Sequence, residues 1–498
     1  MTFAVVRRDT SGMNPKQRHV PAADVPLVVD FDGTLHRSDL TWEAIAWAMR
    51  HDWRLLWLAV FAYLRHGRAA AKLVLEDHLL GHWHPDLPLD ERTADLLREA
   101  QARGRRVVVA TGSPQRLVMQ VLAAHGMDVE VWGTVENTTN LTARHKAAAL
   151  VKTFGEKGFD YAGNSYADHP VWAVARKAWI VNAGTGVTRR AMGLGNHEHV
   201  LPKVLRARWA VWQALRPHLW LKNLLVLLPV IAAQAWQNVP VLIAAGWAFL
   251  ALSLVSSAMY LLNDVLDISE DRAHLHKKQR AVAAGLFPIG TALLLVPLLL
   301  AGAWAAAVQG GQPLLHVIQV YAALSLGYAL VFKYWPQVDV LLLAGLYTLR
   351  IVAGMAATGL GLSVWLLLAC FLLFESLMLM KRFVEVRMLD AEPAAQTGLR
   401  RPYHPADLPL LLVQGLAVGF AGVSVLAMHA HSAELATRYT HADWFALLCL
   451  LVLAWLGRLW HAANRGTMAD DDPVMHALQD PLSWLLLVGG VGCLLAAV

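Results

Sequence analysis

From Leu219 to the C-terminus the chain is a series of apolar runs, each close to the ~20 residues a helix needs to cross a hydrocarbon core. In lipid, backbone N–H and C=O groups must be satisfied within the protein, so runs of this length fold as helices. The pattern predicts nine membrane helices, near 219–236, 239–262, 283–308, 314–334, 337–357, 362–383, 405–429, 441–461 and 481–498. One set of loops is basic: Lys203 to Arg216, Arg272 to Arg280, Lys333, Lys381 to Arg401, and Arg458 to Arg465. The other set, around 232–240, 309–313 and 358–363, carries no charge, and only 429–441 has Glu434 and Arg438. Basic loops stay inside, so the first set is expected in the cytosol, with the N-terminus inside and the C-terminus outside.

The first 195 residues are more polar, so a soluble α/β portion is expected at 1–195, a linker at 196–204 and the membrane portion at 205–498. Residues 1–26 contain Arg7, Arg8, Lys16 and Arg18 but no apolar core, so no cleavable leader is expected. The formal charge of +6 is spread over loops, with no arginine-rich tail or zinc spacing, which argues against nucleic-acid binding. Cys370, Cys449 and Cys493 lie in apolar runs and read as small core residues.

Where the second apolar run ends, the chain reads Asn263-Asp264-Val265-Leu266-Asp267-Ile268-Ser269-Glu270-Asp271, followed by Lys277, Lys278 and Arg280. On a continuous helix Asp264, Asp267 and Asp271 fall three and four apart and share one face. Three such carboxylates repel unless a cation lies between them, and hard oxygen ligands suit Mg²⁺ bridging to substrate phosphates. The basic cluster beside them can grip the same phosphates. This pattern resembles the first aspartate-rich motif of the UbiA prenyltransferase superfamily.

In the soluble portion, Val25-Pro26-Leu27-Val28-Val29-Asp30-Phe31-Asp32-Gly33-Thr34 reads as a buried strand with carboxylates at its C-terminal edge. A second strand ends at Thr111-Gly112-Ser113, Lys146 lies in a helical pattern, and a third strand ends at Gly163-Asn164, with Asp168 just after. These four pieces resemble the motifs of the haloacid dehalogenase superfamily. The resemblance implies a Rossmann-like domain in which Asp30 attacks phosphorus and Asp32 is general acid and base. Thr111 and Lys146 would hold the phosphoryl oxygens. Asp30, the Asp32 carbonyl, Asn164 and Asp168 would bind Mg²⁺. Many relatives carry Asp where this chain has Asn164, which removes one charge from the metal site. Between them, about 37–105 corresponds to a helical cap. Its residues Trp42, Trp47, Trp53, Leu56, Trp57, Phe61 and Leu64 read first as the cap's own core, and alternatively as a face lying on the membrane.

The loop after the fourth membrane helix has a single acid, Asp339, where superfamily members acting on aromatic acceptors usually carry an Asp pair. With Arg216-Pro217, Lys222-Asn223, Lys333, Arg350 and Lys381-Arg382, this looks like the decaprenyl-phosphate phosphoribosyltransferase branch. Leu275 and Ala281 stand where relatives often have Pro, and donor preference could differ accordingly. The branch transfers 5-phosphoribose from phosphoribosyl diphosphate to a polyprenyl phosphate, a step in building cell-wall precursors at the bacterial inner membrane. On that likeness Asn263, Asp264, Asp267 and Asp271 would hold Mg²⁺, while Lys277, Lys278 and Arg280 bind donor phosphates. Lys222, Arg350 and Lys381 would bind the lipid phosphate, and Asn223, Lys333 and Arg382 are further substrate-binding candidates. Arg350, about 13 residues and ~20 Å into its helix, marks function or a structural ion pair such as one with Glu375. A phosphatase-like domain on the same side would then remove the 5-phosphate. Alternatives stay open: a transferase of prenyl diphosphates, a regulatory N-terminal domain, or a non-catalytic scaffold. Assembly into a homo-oligomer also stays open.

Overall fold

The computed structural model describes residues 25–80, 83, 87–135, 141–204, 207–274, 277–391, 403–432, 435, 439–441, 443–468 and 473–498. Side chains of 207–208 and 389–391 lie outside this description, as do several residues read above, among them Arg7, Arg8, Lys16, Arg18, Leu275, Arg401, Glu434 and Arg438. The chain divides near residue 205 into two units.

The N-terminal unit is built on six parallel strands: β1 (Leu27–Val29), β2 (Val107–Pro114), β3 (Glu130–Thr134), β4 (Asp160–Gly163), β5 (Ala178–Val181) and β6 (His197–Leu201). Their order is β3-β2-β1-β4-β5-β6. Side chains alternate between faces along a strand, so Leu27 and Val29 enter one core and Val28 the other. The first core is completed by α1 (Leu40–His51), α2 (Trp53–Leu79), α3 (Glu91–Ala102) and α4 (Gln115–Ala124). The second is completed by α5 (Ala143–Phe154), α6 (His169–Val174) and α7 (Thr185–Met192). Strands buried on both faces explain the unbroken run Val107-Val108-Val109-Ala110. Asp90, fully buried, accepts hydrogen bonds from Arg92 and Asn182 and caps α3. Burial alone would raise its carboxyl, but those hydrogen bonds outweigh it and hold the group below its ordinary range.

Two expectations change here. Residues 196–204 are not simply a linker, because His197–Leu201 pairs with β5 as the edge strand. Its exposed, His-rich sequence lacks the apolar signal of a central strand. The aromatic residues of the cap do not all form its core: Trp47 and Leu56 pack inward, whereas Trp53, Trp57, Phe61 and Leu64 are exposed.

The second unit is helical: α8 (Ala207–Leu215), α9 (Leu228–Ala232), α10 (Val239–Leu266), α11 (Ile268–Ala273), α12 (Ile289–Gln309), α13 (Gln312–Leu330), α14 (Val338–Thr358), α15 (Val364–Ala391) and α16 (Leu408–Ala430). After these come α17 (Trp444–Arg465), α18 (Pro473–Gln479) and α19 (Pro481–Ala497). Among the described residues seven helices are long and apolar enough to cross a membrane, or nine if each of two bent pairs is one span. The first pair bends by 42° at Arg216-Pro217, where proline cannot donate a helix hydrogen bond and Arg216 takes a left-handed φ of 51°. The last pair bends by 91° at Asp480-Pro481, so the ninth expected span is preceded by a short crossing helix.

With no water to expel, helices in lipid associate by close packing and buried polar contacts. Both are present. A Cβ on Gly354 would fall 2.2 Å from the Val226 carbonyl oxygen, so only glycine lets α14 approach the first bent segment this closely. On α10, Ser253 accepts from Asn223 Nδ2 at 3.1 Å, Ser256 meets the Tyr321 hydroxyl at 3.2 Å, and Ser257 accepts from Trp220 Nε1 at 2.9 Å.

Candidate active sites

In the N-terminal unit, the C-terminal ends of β1, β2 and β4 lie side by side, at the crevice where strand order reverses. They bring together Asp30, Thr111 and Asn164, while α5 contributes Lys146. Lys146 Nζ donates to Asp30 Oδ1 at 2.6 Å and to the Tyr161 hydroxyl at 3.0 Å. Asp32 accepts from the Leu40 amide at 2.8 Å, from Ser113 Oγ at 2.6 Å and from Thr111 Oγ1 at 3.3 Å. The irregular register of β2 between Ala110 and Pro114 turns this hydroxyl pair toward Asp32. Burial raises both carboxyls, Asp30 to about 7 and Asp32 to about 6, with Lys146 opposing the shift at Asp30 and Ser113 opposing it at Asp32. A carboxyl raised above its ordinary range is shifted toward the values that suit a general acid and base working near neutral pH.

Asp168 lies just after β4, against the turn that carries Asn164. Its Oδ1 accepts from the Tyr161 hydroxyl at 2.6 Å. Its Oδ2 accepts from the Asn164 amide at 3.1 Å and from the Ser165 amide and Oγ, both at 2.9 Å. Three of the four accepted hydrogen bonds fall on Oδ2, so the carboxylate orients the Gly163-Asn164-Ser165 turn and leaves Oδ1, with one donor, as its free acceptor site. Asn164 lies against Gly33, where a Cβ would come within 1.9 Å of its Nδ2. The remaining donors, the Asp30 carboxylate, the Asp32 carbonyl and the Asn164 carboxamide, are hard oxygens. They fit a Mg²⁺ that keeps several waters rather than a cage of carboxylates.

In the membrane unit the aspartate-rich stretch does not form one helix. α10 ends at Leu266, Asp267 lies between the helices, and α11 begins at Ile268. Each aspartate meets a cation instead of its neighbours. Arg216 Nη2 contacts both oxygens of Asp264 at 2.6 Å. Arg280 Nη1 bridges Asp264, at 3.3 Å, and Asp271, at 2.9 and 2.8 Å. Lys333 pairs with Asp267. Burial raises the Asp271 carboxyl to about 6 against the pull of Arg280. Three carboxylates and three cations therefore balance at one end of the helices. Asn263 and Lys277 are half-buried beside them and Lys278 is exposed. Among the described residues no three His, Cys, Asp or Glu side chains gather closely enough to hold a metal alone. The donor set still fits Mg²⁺ bound through one or two carboxylates, water and substrate phosphate.

Two other cations tie helices together. Arg382 donates to Asp339 at 2.7 Å and to the Tyr328 hydroxyl at 2.7 Å, and pairs with Glu385, joining α14 and α15. Tyr403 donates to the other Asp339 oxygen at 2.8 Å. Arg350, 4% exposed, does not pair with Glu375. It donates to Asn223 Oδ1 at 3.0 Å, Leu346 O at 2.8 Å and the Tyr321 hydroxyl at 2.8 Å, and stacks on Tyr321 and Tyr347. These partners are all neutral, so its charge is hydrogen-bonded but not neutralised by them. Lys222 lies over the Tyr347 ring, and Lys381 is half-buried on α15. An apolar cavity of about 130 Å³, lined by residues such as Leu366, Leu426 and Phe445, opens at the other end of these helices, away from the aspartates.

Tyr161, Ser113 and Tyr321 carry contacts that sequence reading did not assign. Each is a polar residue at an otherwise apolar buried position, the one available signal. The acidic loop Asp470-Asp471-Asp472, His276 and His82-Trp83-His84 lie wholly or partly outside the described residues.

Residues 224–495, more than half of the chain, match the UbiA prenyltransferase family, and residues 27–171 match the haloacid dehalogenase-like hydrolases. An uncharacterized protein, y4nM of Sinorhizobium fredii, is 32% identical over 93% of this chain and 89% of its own. A decaprenyl-phosphate phosphoribosyltransferase of Corynebacterium glutamicum is 32% identical over 57% of this chain and 86% of its own. A solved UbiA homolog from Archaeoglobus fulgidus, bound to GPP and Mg2+, aligns over 57% of this chain and 99% of that one, at 18% identity and a TM-score of 0.44.

Proposed function

Because the chain belongs to the UbiA prenyltransferase family and carries a haloacid dehalogenase-like domain ahead of it, we propose that it performs two reactions in sequence. It transfers 5-phosphoribose from phosphoribosyl diphosphate to a polyprenyl phosphate, then removes the 5-phosphate to leave polyprenyl phosphoryl ribose. The relative from Corynebacterium supports the first step. The observation that carries it is the balanced cluster of Asp264, Asp267 and Asp271 with Arg216, Arg280 and Lys333.

That cluster suits a diphosphate. Mg²⁺ held by the aspartates and Asn263 would neutralise the leaving group. Arg216, Arg280 and Lys333, released from their carboxylates, then face the phosphates together with Lys277 and Lys278. The partner exchange keeps the site near neutrality, so no unpaired charge is stranded. The lipid phosphate oxygen forms the new bond to the ribose anomeric carbon as the carbon–oxygen bond to diphosphate breaks. A phosphate monoester is partly dianionic near pH 7, so it needs no strong protein base. Lys222, Arg350 and Lys381 are proposed to draw it in, while Arg382 holds the helices in register.

In the N-terminal unit Asp30 attacks the 5-phosphate and Asp32 protonates the departing ribose oxygen, then activates water. Lys146 and Thr111 hold the phosphoryl oxygens. Mg²⁺ would sit on Asp30, the Asp32 carbonyl and Asn164, with Asp168 and Tyr161 fixing the turn. The loop charges favour both reactions on the cytosolic side of a bacterial inner membrane.

Donor choice tests the reading. Purified protein given polyprenyl phosphate and Mg²⁺ should consume phosphoribosyl diphosphate and leave prenyl diphosphates intact, followed by chromatography of radiolabelled donors. Consumption of a prenyl diphosphate instead would overturn the donor assignment.

A further inference from the structure

The first half of α2 exposes an apolar face with no protein over it. Trp53, Trp57, Val60, Phe61 and Leu64 recur at helical spacing and line one side of the segment. All are exposed, Trp57 by 67% and Leu64 by 76%. The opposite side, Leu55, Ala59 and Ala62, is the buried one. The segment ends at Gly67, where φ is 81° and the helix breaks, so it is a separate rod about 21 Å long. A soluble protein rarely leaves such a patch uncovered.

We propose that this face lies in the interfacial layer of an anionic lipid bilayer. Three observations select lipid as the occupant. The C-terminal unit of the same chain crosses a bilayer, so a lipid surface is always within its reach. The side chains are those that favour the headgroup boundary, two Trp with Phe, Leu and Val. The charges on and just after the segment are Arg54, Arg65 and Arg68; Asp52 caps its start, and no acid occurs between Trp53 and Leu75. Arg65 stacks on Phe61 at 4.4 Å, which places its charge beside the apolar face where a phosphate headgroup would meet it. A second copy fits poorly, because pairing two such faces would bring the arginines together.

The consequence reaches the phosphatase site. Beyond the break at Gly67 the second half of α2 carries Lys72, whose Nζ donates to the Gly112 carbonyl at 2.8 Å, next to Thr111. The lipid-facing rod is thus followed directly in the chain by a segment that touches β2 beside Thr111, which on the proposed function holds the phosphoryl group of a lipid-borne substrate.

The test uses the full chain with Cys370, Cys449 and Cys493 replaced by Ala and one new cysteine, Phe61→Cys or Leu64→Cys, bearing an environment-sensitive fluorophore. Lys152→Cys on α5 is the control. The protein is placed one copy per nanodisc. In discs rich in phosphatidylglycerol, the α2 probes should shift to the blue and lose at least half their emission to shallow doxyl-labelled lipids, with the control unchanged. The quenching should fall several-fold in purely zwitterionic discs. Water-like, unquenched emission from both α2 probes overturns the proposal. So does equal quenching in both lipids, or a shift that needs two copies per disc.

Discussion

Asp30→Asn should stop phosphate release, by a factor on the order of 10³ or more, while phosphoribosyl transfer continues. The side chain keeps its shape, so the change removes a nucleophile and a charge with little change in packing. Lys146 keeps the Tyr161 hydroxyl at 3.0 Å and lies 3.8 Å from Asp168, which limits the cost of its lost partner. The lipid carrying ribose 5-phosphate should therefore accumulate, measured by mass spectrometry alongside a phosphate assay. Undiminished phosphate release from a folded variant would remove Asp30 from the chemistry.

The second large effect concerns the transferase. Asp264→Asn should lower its turnover about 10²–10³-fold, the usual cost of removing one preorganised charged contact from a leaving-group site. Asp264 is 2% exposed and meets both Arg216 and Arg280. Its loss also leaves those guanidiniums short of a counter-charge in a poorly solvated place, which would cost about 3–5 kcal/mol of stability if the pair were only structural. The two causes separate experimentally. A role in metal binding predicts that higher Mg²⁺ recovers part of the rate, whereas a merely structural role predicts a lowered melting temperature and no response to Mg²⁺.

How much of this was legible beforehand depended on whether the signal was local. Leu27-Val28-Val29-Asp30-Phe31-Asp32 reads as a buried strand with acids at its end because strand alternation and strand-end chemistry act over a few residues. The membrane helices were legible for the same reason, since length and apolarity alone specify them. What depended on distant partners was not. His197–Leu201 looked like a connection because its strand character comes from pairing with Ala178–Val181, not from its own side chains. The spacing of the aspartates predicts one helical face, and nothing local shows that Asp267 interrupts the helix or that Lys333 meets it. Depth in its helix singles out Arg350, but its partners Asn223 and Tyr321 lie 127 and 29 positions away. The exposed face of α2 was undecidable from composition, because an aromatic stripe at helical spacing serves a core and a membrane surface equally well.

The most direct measurement is the mass of the lipid made when the intact wild-type protein, in detergent, receives polyprenyl phosphate, phosphoribosyl diphosphate and Mg²⁺. The account predicts a ribosyl adduct without the 5-phosphate, with one phosphate and one diphosphate released per turnover. A product that keeps its 5-phosphate through prolonged incubation would contradict the two-step account and leave the N-terminal unit a binding or regulatory domain, and no adduct at all would contradict both steps.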